Sequence, residues 1–96
     1  MKYKVIALCS DYLGCYDQPT FSNLSEEDVM EQYRRSVLAD PDGAYKARAS
    51  EKSLFVLGEF DDVSGVILPF KQPKKLVSLA SYFPAGYLAK KETTNA

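Results

Sequence analysis

The sequence predicts an α+β domain: a small, mainly antiparallel sheet with one principal helix across a face, in the order β-β-α-β-β plus a C-terminal segment. Three observations carry this expectation. Residues 53–70 read as an apolar run, a polar turn and a second apolar run. Residues 25–38 combine a helix start signal with apolar residues recurring every four positions. Residues 3–9 form a short run with apolar side chains on both alternating faces. A chain of 96 residues suits one domain with one core. That domain is assigned to residues 1–83, and residues 84–96 to a C-terminal tail whose polar end, 92–96, is expected to fray.

Along the first strand, Tyr3, Val5, Ala7 and Cys9 share one face, and Lys4, Ile6 and Leu8 the other. Apolar residues on both faces predict an interior strand. Asp11, Gly14 and Asp17 follow as turn formers. Residues 18–22 predict a short second strand, which Pro19 confines to an edge or a strand start.

Ser25 is the expected N-cap, with Glu26, Glu27 and Asp28 in the first turn complementing the helix dipole. Ser25 and Asp28 have capping-box spacing, and Leu24 and Val29 that of a hydrophobic staple. Val29, Tyr33 and Val37, joined by Met30 and Leu38, form the apolar face. Pro41 disfavours helix at Asp40 and stops it there. Residues 44–52 show no clean period and read as a loop.

In the hairpin, residues 54–60 and 66–70 favour strand, and Asp61, Asp62, Val63, Ser64 and Gly65 supply the turn. Gly65 is where a positive φ is most easily accepted. After Phe70 the segment 71–75 is basic. Leu76, Val77, Leu79, Ala80 and Phe83 have the spacing of a short amphipathic helix, ended by Pro84, Ala85 and Gly86.

Several chemistries are excluded. There is no histidine, so histidine-dependent triads and zinc sites using histidine are absent. No P-loop or dinucleotide fingerprint occurs. Cys9 and Cys15 lack partners for a metal site; Cys9 reads as a core residue and Cys15 as a loop thiol. The apolar run after Lys4 is too short for a signal peptide, so a reducing compartment with free thiols is expected. Glu59, Asp61 and Asp62 lack calcium-loop spacing, and turn chemistry accounts for each. No nucleophile–base pair can be named. The expectation is a protein that is not an enzyme, with no cofactor and no metal, and no stretch reaches the length of a membrane span.

The formal net charge of −1 argues against a surface that is basic throughout, but not against a local basic stripe. Arg34, Arg35, Lys46, Arg48 and Lys52 cluster about the middle loop, and Lys71, Lys74, Lys75, Lys90 and Lys91 make the last quarter positive. Tyr45, Phe70, Tyr82, Phe83 and Tyr87 interleave with them. Lysines along phosphates with aromatics stacked on bases hold single strands without sequence readout. The plainer reading is a solvated lysine surface with aromatics filling a small core, and the residues leave both open.

The order of elements resembles a known family. A Tyr-x-Val strand leads to a turn with Asp11 and Gly14, then Pro19 and Phe21, a helix and a variable loop. Leu54, Leu57, Gly58, Glu59, Phe60, Asp61, Asp62, Gly65 and Ile67 follow, and Pro73 precedes a short apolar segment. This is similar to the small non-structural protein of the gokushoviruses, single-stranded DNA phages of the Microviridae. The similarity covers roughly residues 3–80; Cys15–Tyr16 and the longer tail after Phe83 depart from the pattern. The resemblance implies a replication-associated DNA-binding protein of the host bacterial cytoplasm, likened to the protein that switches phage synthesis from duplex replication to single-strand packaging. It implies single-stranded DNA as partner; the contact surface expected from the basic and aromatic residues is Arg34, Arg35, Lys46, Arg48, Lys52, Lys71, Lys74, Lys75, Tyr82, Phe83 and Tyr87. The alternative is a protein-interaction module that recruits or inhibits a host or phage replication factor, docking through residues 74–91 as an amphipathic segment. An exposed strand edge would be a natural seam for a homodimer.

Overall fold

The structure, a computed structural model, describes residues 1–39 and 51–83. Four strands form one antiparallel sheet: β1 (Lys2–Ser10), β2 (Thr20–Ser22), β3 (Lys52–Asp61) and β4 (Ile67–Ser78). Their spatial order is β2-β1-β3-β4. One helix, α1 (Glu26–Ala39), lies between β2 and β3 in sequence, and a single 3-10 turn (Leu79–Tyr82) follows β4. This is the α+β architecture expected. Among the described residues no helix is long and apolar enough to cross a membrane.

β1 is an interior strand, as its two apolar faces require. β2 is an edge strand that begins directly after Pro19, where a missing N–H costs no ladder bond. In α1 the Ser25 hydroxyl accepts from the Asp28 backbone N–H at 3.1 Å, and the Val29 N–H donates to the Ser25 carbonyl at 2.9 Å. The cap thus satisfies a donor that the first helical turn leaves free.

The apolar face of α1 covers one face of the sheet. Val29 packs with Ile6, Leu54 and Val56, flanked by Leu8, Leu24, Met30, Tyr33, Leu76 and Val77. A second cluster joins Val37 to Leu79 and Phe83. Burying each such aliphatic side chain contributes about 1.5–3 kcal/mol. Leu38, expected on the same face, is exposed, so the buried stripe is narrower than the sequence predicts.

The hairpin turn forms as expected. Gly65 takes φ 74° and donates its N–H to the Asp61 carbonyl at 2.8 Å. The Asp61 carboxylate accepts from the Val63 N–H at 2.9 Å. That bond holds its carboxyl below the usual range, aided by the Ser64 N–H. Asp62 pairs with the N-terminal ammonium at 2.6 Å and ties the chain start to the turn.

Beyond Phe70 the structure corrects the expectation. β4 does not end there but continues through the basic segment to Ser78, and residues 76–83 are not an amphipathic helix. Lys74, Lys75, Val77 and Ser78 lie opposite Val56, Phe55, Leu54 and Ser53. Leu76 has no counterpart and bulges, which lets both Leu76 and Val77 reach the helix-covered cluster. Pro69 and Pro73 fit within β4 because it is the outer edge of the sheet, where proline is tolerated. Four residues, Phe70, Lys71, Gln72 and Pro73, stand opposite the single residue Leu57.

Other boundaries differ as well: β1 runs Lys2–Ser10 rather than 3–9, β2 starts at Thr20 rather than Gln18, β3 runs Lys52–Asp61 rather than 54–60, and β4 starts at Ile67 rather than Val66. The expected helix stop at Asp40 and Pro41, the loop from 44, and the tail 84–96 lie outside the described residues.

Candidate nucleic-acid interface

Of the described basic residues singled out in the sequence, four are held by carboxylates and two are not. Arg34 donates through Nε and Nη2 to Glu31 at 2.8 and 2.6 Å, and Arg35 through Nε at 3.2 Å. The Arg34 bonds, with help from Arg35, pull the Glu31 carboxyl down to about 2. Lys52 pairs with Asp17 across the loop after β1. Lys74 points to the helix-covered side and pairs with Glu26 in the first turn of α1, both carboxylate oxygens at 2.9 Å. Lys71 and Lys75 form no ion pair with any described residue. Lys46, Arg48 and Tyr87 lie outside the described residues.

The two described aromatics in the expected set also separate. Tyr82 flanks the second core cluster, and its phenol is raised by burial and by the nearby Glu31, against an opposing effect of Arg34. Phe83 departs from the expectation outright. It is 8% exposed and fills the core with Val37 and Leu79, so its ring offers no free face for stacking.

The structure assembles a different set of rings on the sheet face opposite α1. Residues paired directly across antiparallel strands share a face. The register places Tyr3, Phe60 and Ile67 in one row, and Phe21, Val5, Gly58 and Pro69 in the next. Ala7, Phe55 and Lys75 form a third row. Beyond it Tyr16 bridges to Cys9 and meets Phe55 edge-on at 5.6 Å between centroids. Phe60 meets Phe21 at 5.2 Å and Tyr3 at 6.3 Å. Phe21 is 52% exposed, Tyr16 42% and Ile67 56%.

Two features build this face. A bulge at Leu57 shifts the parity of β3, so that Phe55 and Phe60, an odd number of residues apart, point the same way. Gly58 lies where a Cβ would stand 2.4 Å from the Leu68 carbonyl oxygen and 2.9 Å from the Pro69 Cα. Only glycine lets β4 approach so closely there.

The register positions of this face hold no carboxylate, and their one charge is Lys75. At the Ser53 end of the face, Asp11 accepts a 2.7 Å hydrogen bond from the buried Ser53 hydroxyl, which also lies 3.3 Å from Ser78 Oγ. The helix-covered side differs, since Glu26 and Glu59 accompany Lys4 and Lys74 there.

Sequence reasoning missed this site because it ranked residues by charge and by local clustering. The signal available was the alternation Tyr3, Val5, Ala7, Cys9, a whole face of β1 with no charge. No protein-family model, no curated protein and no solved structure matches the chain.

Proposed function

We propose that the protein binds single-stranded DNA without reading its sequence, as a phage non-structural protein in viral DNA replication at the switch to single-strand synthesis. One observation supports the binding reading most directly. The sheet face opposite α1 carries a contacting group of rings, Phe21 exposed among them, and the one charge among its register positions is Lys75, which forms no ion pair with a described residue. Unpaired bases stack on such rings regardless of identity, and a cation beside them meets phosphate. The replication setting rests on the family resemblance alone.

The test is a titration of labelled oligonucleotides with the full chain at several salt concentrations. Saturable binding that weakens with salt is expected. No binding at low salt would sink the proposal.

A second reading, a protein-interaction module for a host or phage replication factor, is favoured by the hairpin arm. There Val63, Val66, Ile67 and Leu68 are all exposed. Removing residues 71–96 would not test it cleanly, because that cut deletes most of β4 and the core residues Leu79 and Phe83. Leu68→Asp leaves the core intact. If it retained every partner that the wild-type chain captures from lysate, the arm would not be the docking element.

A further inference from the structure

We infer that the sheet face opposite α1 is a two-station stacking site for an unpaired strand of about four nucleotides, holding bases by rings more than phosphates by charge. This rests on the single-strand-binding reading above and says where and how that binding is made.

The first station is Tyr3, Phe60 and Phe21, and the second is Tyr16 and Phe55. Phe60 lies opposite Tyr3, and Phe55 opposite Ala7. Four residues of strand therefore separate the stations, about 13 Å at the usual rise. A stacked strand advances about 3.4 Å per nucleotide, so the gap spans about four nucleotides. On β1 between Tyr3 and Cys9 this face carries only Val5 and Ala7, both small and buried. Lys75 stands opposite Phe55, at the second station, where a phosphate between two stacked bases would meet it.

The charge arrangement points to stacking as the main source of affinity. Arg34, Arg35, Lys52 and Lys74 are held by Glu31, Asp17 and Glu26. A phosphate recruiting any of them must displace a carboxylate. Lys75 competes with none, and the absence of carboxylates from the register positions suits a polyanion lying across the face. A duplex keeps its bases stacked on each other and has no free base face to offer, so the site discriminates against it. Nothing in a ring platform reads a 2′-hydroxyl, so DNA and RNA single strands should bind alike.

The experiment uses the full chain with fluorescein-labelled oligothymidylates of two, four and eight nucleotides, oligouridylate, and a duplex competitor. Affinity should rise steeply from two to four nucleotides and little beyond, and the duplex should not compete. Phe21→Ala and Tyr16→Ala should each weaken binding about tenfold, and Phe21→Leu nearly as much, whereas Phe21→Tyr retains it. Lys75→Ala should flatten the dependence of log K on log salt by about 0.7, the value for one phosphate contact on a single strand. Arg34→Ala with Arg35→Ala should leave it unchanged. Oligonucleotide binding that ignores Phe21 and Tyr16 would overturn this site while leaving the proposed function standing. No binding by the wild-type chain would overturn both. Loss of a dimer in Phe21→Ala without loss of affinity would show the face to be an interface between copies, which also overturns it.

Discussion

The two faces of the sheet are made from the same four strands yet solve opposite problems. The face under α1 is lined by aliphatic residues, Ile6, Leu8, Leu54, Val56 and Val77, that interdigitate with Val29, Met30 and Tyr33. Its buried side chains are branched and stiff, which favours dense packing with little rotamer loss. The opposite face concentrates its bulk in rings, Tyr3, Phe21, Phe55, Phe60 and Tyr16, around small central residues, and two of these rings, Phe21 and Tyr16, are exposed. A flat ring half in water retains a surface that another flat group can use; an interlocked leucine does not. The comparison teaches that one face supplies stability and the other leaves contact area free. It can be broken by showing that the two faces respond alike to truncation.

Leu54→Ala should have the largest effect. Leu54 is fully buried between β3 and α1. Losing its isobutyl group removes transfer energy and leaves a cavity, for a cost of about 3 kcal/mol. Urea denaturation followed by circular dichroism measures it. The matching change on the other face, Phe21→Ala, removes more atoms but from a half-exposed position, and should cost under about 1 kcal/mol. If Phe21→Ala cost as much as Leu54→Ala, the aromatic face would be part of the core and the contrast would fail.

Gly58→Ala comes next, and it tests how the two faces are joined. The added methyl meets the backbone of Leu68 and Pro69, which cannot rotate aside, so β4 must shift. Overpacking of this kind costs about 2 kcal/mol. Because β4 carries Lys75 and Pro69 on the aromatic face and Val77 on the other, the shift should also perturb oligonucleotide binding. Unchanged stability in Gly58→Ala would mean that β4 does not approach β3 as described.

These cases show what could be read from the sequence and what could not. The helix was legible because its signals are local: a cap at Ser25, acids in the first turn, and apolar residues four apart. The hairpin turn was legible for the same reason, since Asp61 and Gly65 satisfy it by themselves. The course of β4 beyond Phe70 was not. Proline is forbidden in a central strand and allowed at an edge, and only the order β2-β1-β3-β4 says which this is. The ring face was hidden by parity. A strict alternation sends Phe55 and Phe60 to opposite sides, and the bulge at Leu57 reverses that. The partners of the basic residues were not legible because charge pairing is non-local: Lys74 meets Glu26 48 residues away, and Lys52 meets Asp17 35 away.

A smaller effect probes the polar end of the aromatic face. Ser53 is buried there, with its hydroxyl shared between Asp11 and Ser78. Ser53→Ala deprives the Asp11 carboxylate of that donor and should cost about 1 kcal/mol in the same denaturation experiment. A stabilised variant would indicate that the hydroxyl is a burden to the sheet rather than a tie between the loop after β1 and the end of β4.

The smallest expected effect lies on the solvent side of α1, away from both faces. Glu31 is drawn from 4.5 to about 2, first by its hydrogen bond with Arg34 and then by Arg35. A carboxyl whose folded value is depressed stabilises the fold above its unfolded value, and that contribution is lost as pH falls between about 4.5 and about 2. Here the group is solvent-exposed, so salt and water screen the pair and the loss should be shallow. Comparing the wild-type chain with Glu31→Gln by acid titration of helicity isolates it. The variant should show a weaker pH dependence in that window, and added salt should narrow the difference. A difference that persisted in high salt would mean that Glu31 acts through packing against Tyr82 rather than through charge. The end of α1 would then belong with the second core cluster, and the line between the packed side of the molecule and its solvated surface would need redrawing at that helix.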